Sequence, residues 1–228
     1  MQHEKSKEQQ TPPIIVVVGP TASGKSAVAI ELAHRYHGEI ISADSVQVYR
    51  YLNIGTGKIM SHEMEGIPHH LINIVDPKEH YDAATFQRDA DATIQAIASR
   101  GKTTIIAGGT GLYIRALLRG LFDLPSEPSV RQELEEERQQ EGLFKLYLQL
   151  KEIDPQAAAW IAPQDKIRIV RALEVYRLSG KTYTDMIAEH QGGTPRYQAL
   201  LLGIAPDRSF LNETIEKRID QMLRNGWI

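Results

Sequence analysis

The chain has 228 residues, of which 42% are hydrophobic, with a net charge of −3 and no cysteine. That length suits one ordinary domain, or a core carrying an insertion, and the missing cysteines exclude disulfides, thiolate metal sites and cysteine nucleophiles. No apolar run approaches a membrane span and no signal-peptide pattern precedes the first strand, so a cytoplasmic protein is expected; the slightly acidic balance leaves room only for a local basic groove.

Residues 1–13 are polar, end in Thr11-Pro12-Pro13, and read as a loose leader. A strand is expected over residues 14–18, running straight into Gly19-Pro20-Thr21-Ala22-Ser23-Gly24-Lys25-Ser26. This is the P-loop pattern, Gly-x-x-x-x-Gly-Lys-Ser/Thr. A helix follows over residues 25–36, with Ala27, Ile30, Leu32 and Ala33 on one face. The glycines let backbone N–H groups wrap an anion, and the helix N-terminus adds a partial positive charge. Lys25 adds a full charge, and the Ser26 hydroxyl is placed to ligate Mg²⁺. The site therefore binds a di- or triphosphate, and the motif does not say which.

A second strand over residues 39–42 leads to Ala43-Asp44-Ser45. Asp44 thus leaves the carboxyl end of a strand near the P-loop, where ligands of such sheets bind. Either it caps a turn or holds Mg²⁺ through water, or it is a general base toward an acceptor nucleophile. Gln47, three residues on, can both donate to and accept from a polar acceptor. Tyr49 and Tyr51 read as half-buried. His62, His69 and His70 lack metal-ligand spacing and read as loop and strand-edge residues.

Further strands are expected over residues 70–74, 103–107 and 199–204, with helices over 83–100 and 112–118. Strands alternating with helices imply a parallel sheet wound on both faces. The 103–107 strand ends in Gly108-Gly109-Thr110-Gly111. Motor ATPases place a Mg²⁺-holding aspartate there; glycines instead allow close backbone approach, and Thr110 offers a hydroxyl. Small-molecule kinases and pyrophosphate-releasing transferases fit this better.

From about residue 124 to 197 the strand signal fades. Helices are expected over 130–141, 145–151 and 167–178, and Gly192-Gly193-Thr194-Pro195 reads as a returning loop. This is a helical insertion on an α/β core formed by residues 14–123 and 198–228. Glu135-Glu136-Glu137 reads as a solvated face, and Trp160 as packing. Lys166, Arg168 and Arg171 on one helix, and Lys217, Arg218 and Arg224 on the last, are either solvated faces or clamps for an anion or nucleic-acid backbone. The last helix starts near Asp207 and still runs at Met222-Leu223, so the protein is expected to continue beyond Ile228.

Four motifs occur in order: the P-loop at 19–26, Ser-Ala-Asp-Ser-Val-Gln-Val-Tyr at 42–49, Gly-Gly-Thr-Gly-Leu-Tyr at 108–113, and Asp-Lys-Ile-Arg-Ile-Val-Arg-Ala-Leu-Glu at 165–174. Asn-Ile-Gly-Thr-Gly-Lys at 53–58 and Gly-Ile-Pro-His-His-Leu at 66–71 join them. Over residues 14–226 this set resembles the bacterial tRNA dimethylallyltransferases. The resemblance implies a P-loop NTPase-like fold; a monomer is expected. It implies transfer of the dimethylallyl group of dimethylallyl diphosphate to N6 of the adenosine 3′ of the anticodon, with Mg²⁺ as cofactor and diphosphate as leaving group. Residues 19–26 would hold the diphosphate, with Thr21, Lys25 and Ser26 touching it and Arg218 in support. Asp44 would be the catalytic base, and Ser45, Val46 and Gln47 would hold the extruded base. Thr110, Arg131 and the run Ile167, Arg168, Ile169, Val170, Arg171 would contact tRNA. Ile167 stands where the family often has glutamine. A nucleoside or other small-molecule kinase, an adenylate isopentenyltransferase and a non-enzymatic tRNA-binding protein are the competing readings.

Overall fold

The computed structural model describes residues 11–121, 124–191 and 194–227. In chain order its elements are β1 (Ile14–Val18), α1 (Lys25–Tyr36), β2 (Gly38–Ser42), β3 (His69–His70), α2 (Ala83–Ser99), β4 (Thr103–Gly108), α3 (Gly111–Arg119), α4 (Pro128–Glu141), α5 (Leu143–Ile153), α6 (Pro155–Trp160), α7 (Lys166–Ser179), α8 (Tyr183–Gln191), β5 (Ala199–Gly203) and α9 (Arg208–Arg224). They divide into two compact units, with breaks after Leu121 and before Pro195.

The first unit is a parallel sheet in the order β3-β2-β4-β1-β5. β1, β2 and β4 are continuous apolar runs because both faces of the sheet are covered. One face packs Phe86, Ala90, Ile94 and Ile97 of α2 with Tyr113, Ile114 and Leu117 of α3. The other packs Ala29, Ile30 and Ala33 of α1. Ala27, expected on that buried face, is exposed and turned to the cavity described below. Asp82 caps α2 by accepting from the Thr85 N–H at 2.8 Å. β5 pairs only with β1 and leaves Leu200 and Leu201 more than half exposed. α9 buries no residue fully.

The strand expected over residues 70–74 stops at His70. Leu71 and Asn73 adopt left-handed backbone, with φ of 56° and 58°, which a strand cannot contain. The segment instead bonds the loop after β2, through Asn73 N–H to Gln47 O and Ile74 N–H to Val48 O. At the opposite end of β2, buried Glu39 accepts from Arg100 at 2.7 Å and pairs with His70 at 2.7 Å. Arg100, with His70 in support, holds its carboxyl below the ordinary range.

The second unit is helical and has its own core of Leu134, Leu146, Leu150, Ala157, Ile161, Ile169 and Leu173. Pro128 opens α4, and Asp154 and Asp165 cap α6 and α7. Glu135 and Glu137, read as a solvated face, reach Lys166 and Arg177 of α7. Trp160 is half exposed, its ring 6.1 Å from that of Tyr183. The break falls before Pro195 rather than before Gln198. Arg196 belongs to the sheet unit, where it is bidentate to Asp91, and the Tyr197 hydroxyl donates to the same carboxylate at 2.7 Å. The polar leader up to Gln10, Gly192-Gly193 of the returning loop and Ile228 lie outside the described residues.

Candidate active site

The carboxyl ends of the sheet strands open on a cavity of about 610 Å³. Its floor comes from the loop between β1 and α1, of which Thr21, Ala22, Ser23, Gly24, Lys25 and Ser26 line the cavity and Gly19 and Pro20 do not. The loop turns through left-handed backbone at Ala22, φ 63°, and Gly24, φ 87°. The Ser23 hydroxyl is buried with no hydrogen-bond partner among the described residues. A buried polar atom of this kind calls for a ligand or water. Lys25 Nζ donates to Pro20 O at 2.5 Å, so the ammonium lies folded over the loop. Burial lowers the Lys25 pKa; Asp44 opposes that shift and Arg218 adds to it. Lys25, Arg218 and Asp44 thus share the cavity, whose lining also carries Glu31, Glu63 and Glu65.

Asp44 is delivered by β2. Its Oδ1 accepts from Val46 N–H at 2.9 Å and Gln47 N–H at 3.0 Å. Oδ2 has no hydrogen-bond donor among the described residues. Oδ1 thus closes the turn, one of the roles open from sequence, and Oδ2 is left without a protein donor among those residues. Thr110, at the start of α3, accepts from Ser45 N–H at 2.9 Å and donates to Ser45 Oγ at 3.3 Å. Its hydroxyl braces the Asp44 turn. Gly108 is required here, since a Cβ would collide with the Ala43 carbonyl. Ser45, Val46 and Thr110 stand beside the cavity, whereas Asp44 and Gln47 line it.

The opposite wall comes from residues 56–59 and α9. Arg218 Nη2 donates to Thr56 O at 3.1 Å. Gln47 Nε2 donates to Thr56 O and Gly57 O, each at 3.3 Å. Gly57, φ 58°, lies so close to the Arg218 guanidinium that a Cβ would overlap it. Beside this polar cradle lie Ala27, Ala29, Ile30, Ile40, Ile59 and Ile72, with Glu31, Glu63, Glu65 and His69 also on the lining. The cavity thus joins an anion cradle to a surface that is part hydrocarbon and part acidic. The apolar side and the Thr56 and Gly57 carbonyls were missed from sequence; the Gly55-Thr56-Gly57 spacing was the one local signal.

The oxygen donors suit Mg²⁺. No group of three or more His, Cys, Asp or Glu able to hold a metal occurs among the described residues. Ser26 and Asp44 both line the cavity. A hydroxyl and a carboxylate, completed by diphosphate oxygens and water, match the habit of Mg²⁺ of using few protein ligands.

The expected RNA-contacting residues of the helical unit divide differently. Ile167 and Arg168 are 81% and 60% exposed at the start of α7. Ile169 and Val170 put their side chains in the core of the helical unit, so only their backbone is left to meet a ligand. Arg131 and Arg171 converge on Glu174, whose side chain is fully buried. Arg171 also donates to the carbonyls of Leu124 and Pro125 at 3.0 and 2.9 Å. Arg171 is therefore engaged by the protein, while Arg131 keeps about half its surface open.

The sequence profile of the IPP transferase family matches residues 47–228. A tRNA dimethylallyltransferase of Geobacter metallireducens is 46% identical over 97% of this chain and 72% of its own length. That of Bacillus pumilus is 45% identical over 95% of this chain and 68% of its own. Among solved structures, a tRNA isopentenylpyrophosphate transferase from Bacillus halodurans superposes with a TM-score of 0.63 at 40% identity, over 94% of this chain and 67% of that one. A eukaryotic dimethylallyltransferase acting on tRNA does so with a TM-score of 0.75 at 34% identity, over 94% and 53%.

Proposed function

The chain belongs to the IPP transferase family and is an enzyme of the tRNA dimethylallyltransferase kind; we propose that it moves the dimethylallyl group of dimethylallyl diphosphate to N6 of the adenosine 3′ of the anticodon. The observation that carries this reading is the cavity itself: a P-loop whose buried Ser23 hydroxyl has no partner among the described residues, isoleucines on the same lining, and the Asp44 carboxylate with only Oδ1 engaged by the turn. ATP would need no such hydrocarbon surface, and the glycines at the end of β4 leave no aspartate where a motor ATPase holds its metal.

The residues act in sequence. Thr21, Ser23, Ser26 and the Lys25 ammonium bind the diphosphate, and Arg218 supports it from α9. Ser26 would hold Mg²⁺, which would supply neutralisation of charge on the leaving diphosphate. The isoleucines hold the prenyl chain and keep water from the developing allyl cation. The adenine leaves its stack to reach the cavity. The N6 lone pair forms the new bond to C1 as the C1–O bond breaks, the electron pair leaves with diphosphate, and Asp44 Oδ2 takes the N6 proton. The acceptor is a tRNA, and the exposed Arg168 and half-exposed Arg131 offer charge to its backbone.

Asp44→Ala tests the chemistry apart from binding. It is expected to keep RNA affinity within about threefold and to cut single-turnover transfer by roughly 10²-fold or more. An unchanged rate removes Asp44 from the mechanism.

A further inference from the structure

Lys58 plays no part in the steps above, yet it is one of few buried cations in the chain, only 7% exposed. Its ammonium donates to Tyr49 O at 2.5 Å, Asn53 Oδ1 at 3.0 Å and Asn73 Oδ1 at 3.1 Å. Three donors meet three neutral oxygens, which satisfies the group completely but neutralises none of its charge. Removing a charge from water on such terms costs free energy. An apolar residue of the same length would fill the space without that cost, so the hydrogen bonds matter for what they hold in place.

They hold the turn that shapes one wall of the cavity. Tyr49 and Lys58 are its two ends, and Asn53 lies between them. Asn73 reaches in from the segment after β3, and its own N–H donates to Gln47 O at 3.0 Å. The two residues immediately before Lys58 supply the carbonyls that receive Gln47 Nε2, at 3.3 Å from both Thr56 O and Gly57 O. Those carbonyls decide the chemical face that Gln47 presents. With its N–H₂ turned to two acceptors, the amide has Oε1 left for a ligand, so Gln47 is an acceptor and not a donor. An exocyclic amine is the group such an acceptor recognises.

We propose that Lys58 is a positioning residue for the acceptor base: by clamping residues 49–58 it fixes the Thr56 and Gly57 carbonyls, which orient Gln47 Oε1 toward the N6 amine while Asp44 takes the proton. This rests on the reading that the Asp44–Gln47 corner receives the adenine. Lys58 touches neither substrate. Its effect passes through Gln47, and it should therefore be visible as coupling between the two positions.

The test is a double-mutant cycle with Lys58→Met and Gln47→Ala, using a tRNA anticodon stem-loop and dimethylallyl diphosphate. Lys58→Met preserves length and apolar volume and removes the three donors. It is expected to lower kcat/KM for the RNA by roughly 10²-fold, the scale of a small misplacement at a reacting centre, and to leave the Kd for dimethylallyl diphosphate within about twofold. Added to Gln47→Ala, it is expected to cost no more than about threefold further, because the residue it orients is already gone. Fully additive losses, or an equal loss of donor binding, would overturn the proposal and make Lys58 a fold-stabilising residue only. If Lys58→Met does not fold, Asn53→Ala, which removes one hydrogen bond to the ammonium at an exposed residue, takes its place in the cycle with the same two outcomes. Parent protein that transfers no prenyl group sinks the underlying reading. Parent activity with an RNA kcat/KM unmoved by Lys58→Met sinks the positioning claim alone.

Discussion

The Glu174 cluster makes a quantitative demand on the helical unit. The carboxylate is fully buried and receives Arg171 at 2.6 Å, Arg131 at 3.0 and 3.3 Å, Ser126 Oγ at 3.0 Å and Glu127 N–H at 3.1 Å. Breaking a buried ion pair by removing one partner costs about 3–5 kcal/mol, because the other charge is left uncompensated. Here the remaining charges have some relief. Arg131 is 56% exposed and can hydrate, and Arg171 keeps the Leu124 and Pro125 carbonyls. Glu174→Ala should therefore fall at the low end, about 3 kcal/mol, equivalent to a fall in Tm of roughly 6–12 °C if the chain melts as one. Helical circular dichroism during thermal unfolding reads it directly. The pH dependence follows from the same contacts. Burial raises the Glu174 pKa, but Arg171, Arg131 and Ser126 outweigh it and hold the folded value below 4.5. A carboxyl depressed on folding contributes stability that is present above its unfolded pKa and lost as pH falls through the folded one. The Tm difference between parent and Glu174→Ala should hold from neutral pH to about 5 and shrink below 4. A variant within about 2 °C of the parent at pH 7, or a difference that grows on acidification, would refute this account of the cluster.

Three further outcomes follow. Lys25→Ala should raise KM for dimethylallyl diphosphate roughly 10- to 100-fold, as expected for a lost charge-assisted contact, and leave the Kd for RNA little changed; a full-speed variant at low donor concentration contradicts the diphosphate role. Gly57→Ala places a Cβ where the Arg218 guanidinium lies and strains a φ of 58°. It should cost about 1–3 kcal/mol of stability and weaken donor binding together, and a neutral result in calorimetry and binding would show that this wall can relax. Chelation with EDTA should stop transfer and added Mg²⁺ should restore it; transfer that persists in EDTA would exclude a metal role for Ser26.

The P-loop and α1 were legible because two signals coincide there, a phosphate-binding pattern and an apolar strand running into a helix. The parallel order of strands also followed from their alternation with helices. The strand over 70–74 was misread because apolar content cannot reveal left-handed backbone at Leu71 and Asn73. α6 and α8 were missed as short elements, although Asp154-Pro155 is a helix-start signal. Within the run 167–171 the helix separates the side chains: Arg168 and Arg171 share a face that Ile169 and Val170, packed in the core, leave. The Thr56 and Gly57 carbonyls were invisible for a different reason. Backbone acceptors carry no side-chain signature, and the guanidinium that meets Thr56 stands 162 residues further along the chain.

The central claim is that this P-loop serves prenyl transfer to RNA and not ATP turnover. The most direct measurement incubates the chain with unmodified tRNA, dimethylallyl diphosphate and Mg²⁺, digests the RNA and reads its nucleosides by mass spectrometry, with a parallel reaction supplying ATP and a small acceptor. N6-dimethylallyl adenosine is expected in the first reaction and no phosphoryl transfer in the second. ATP-dependent phosphorylation with unmodified adenosine would contradict it.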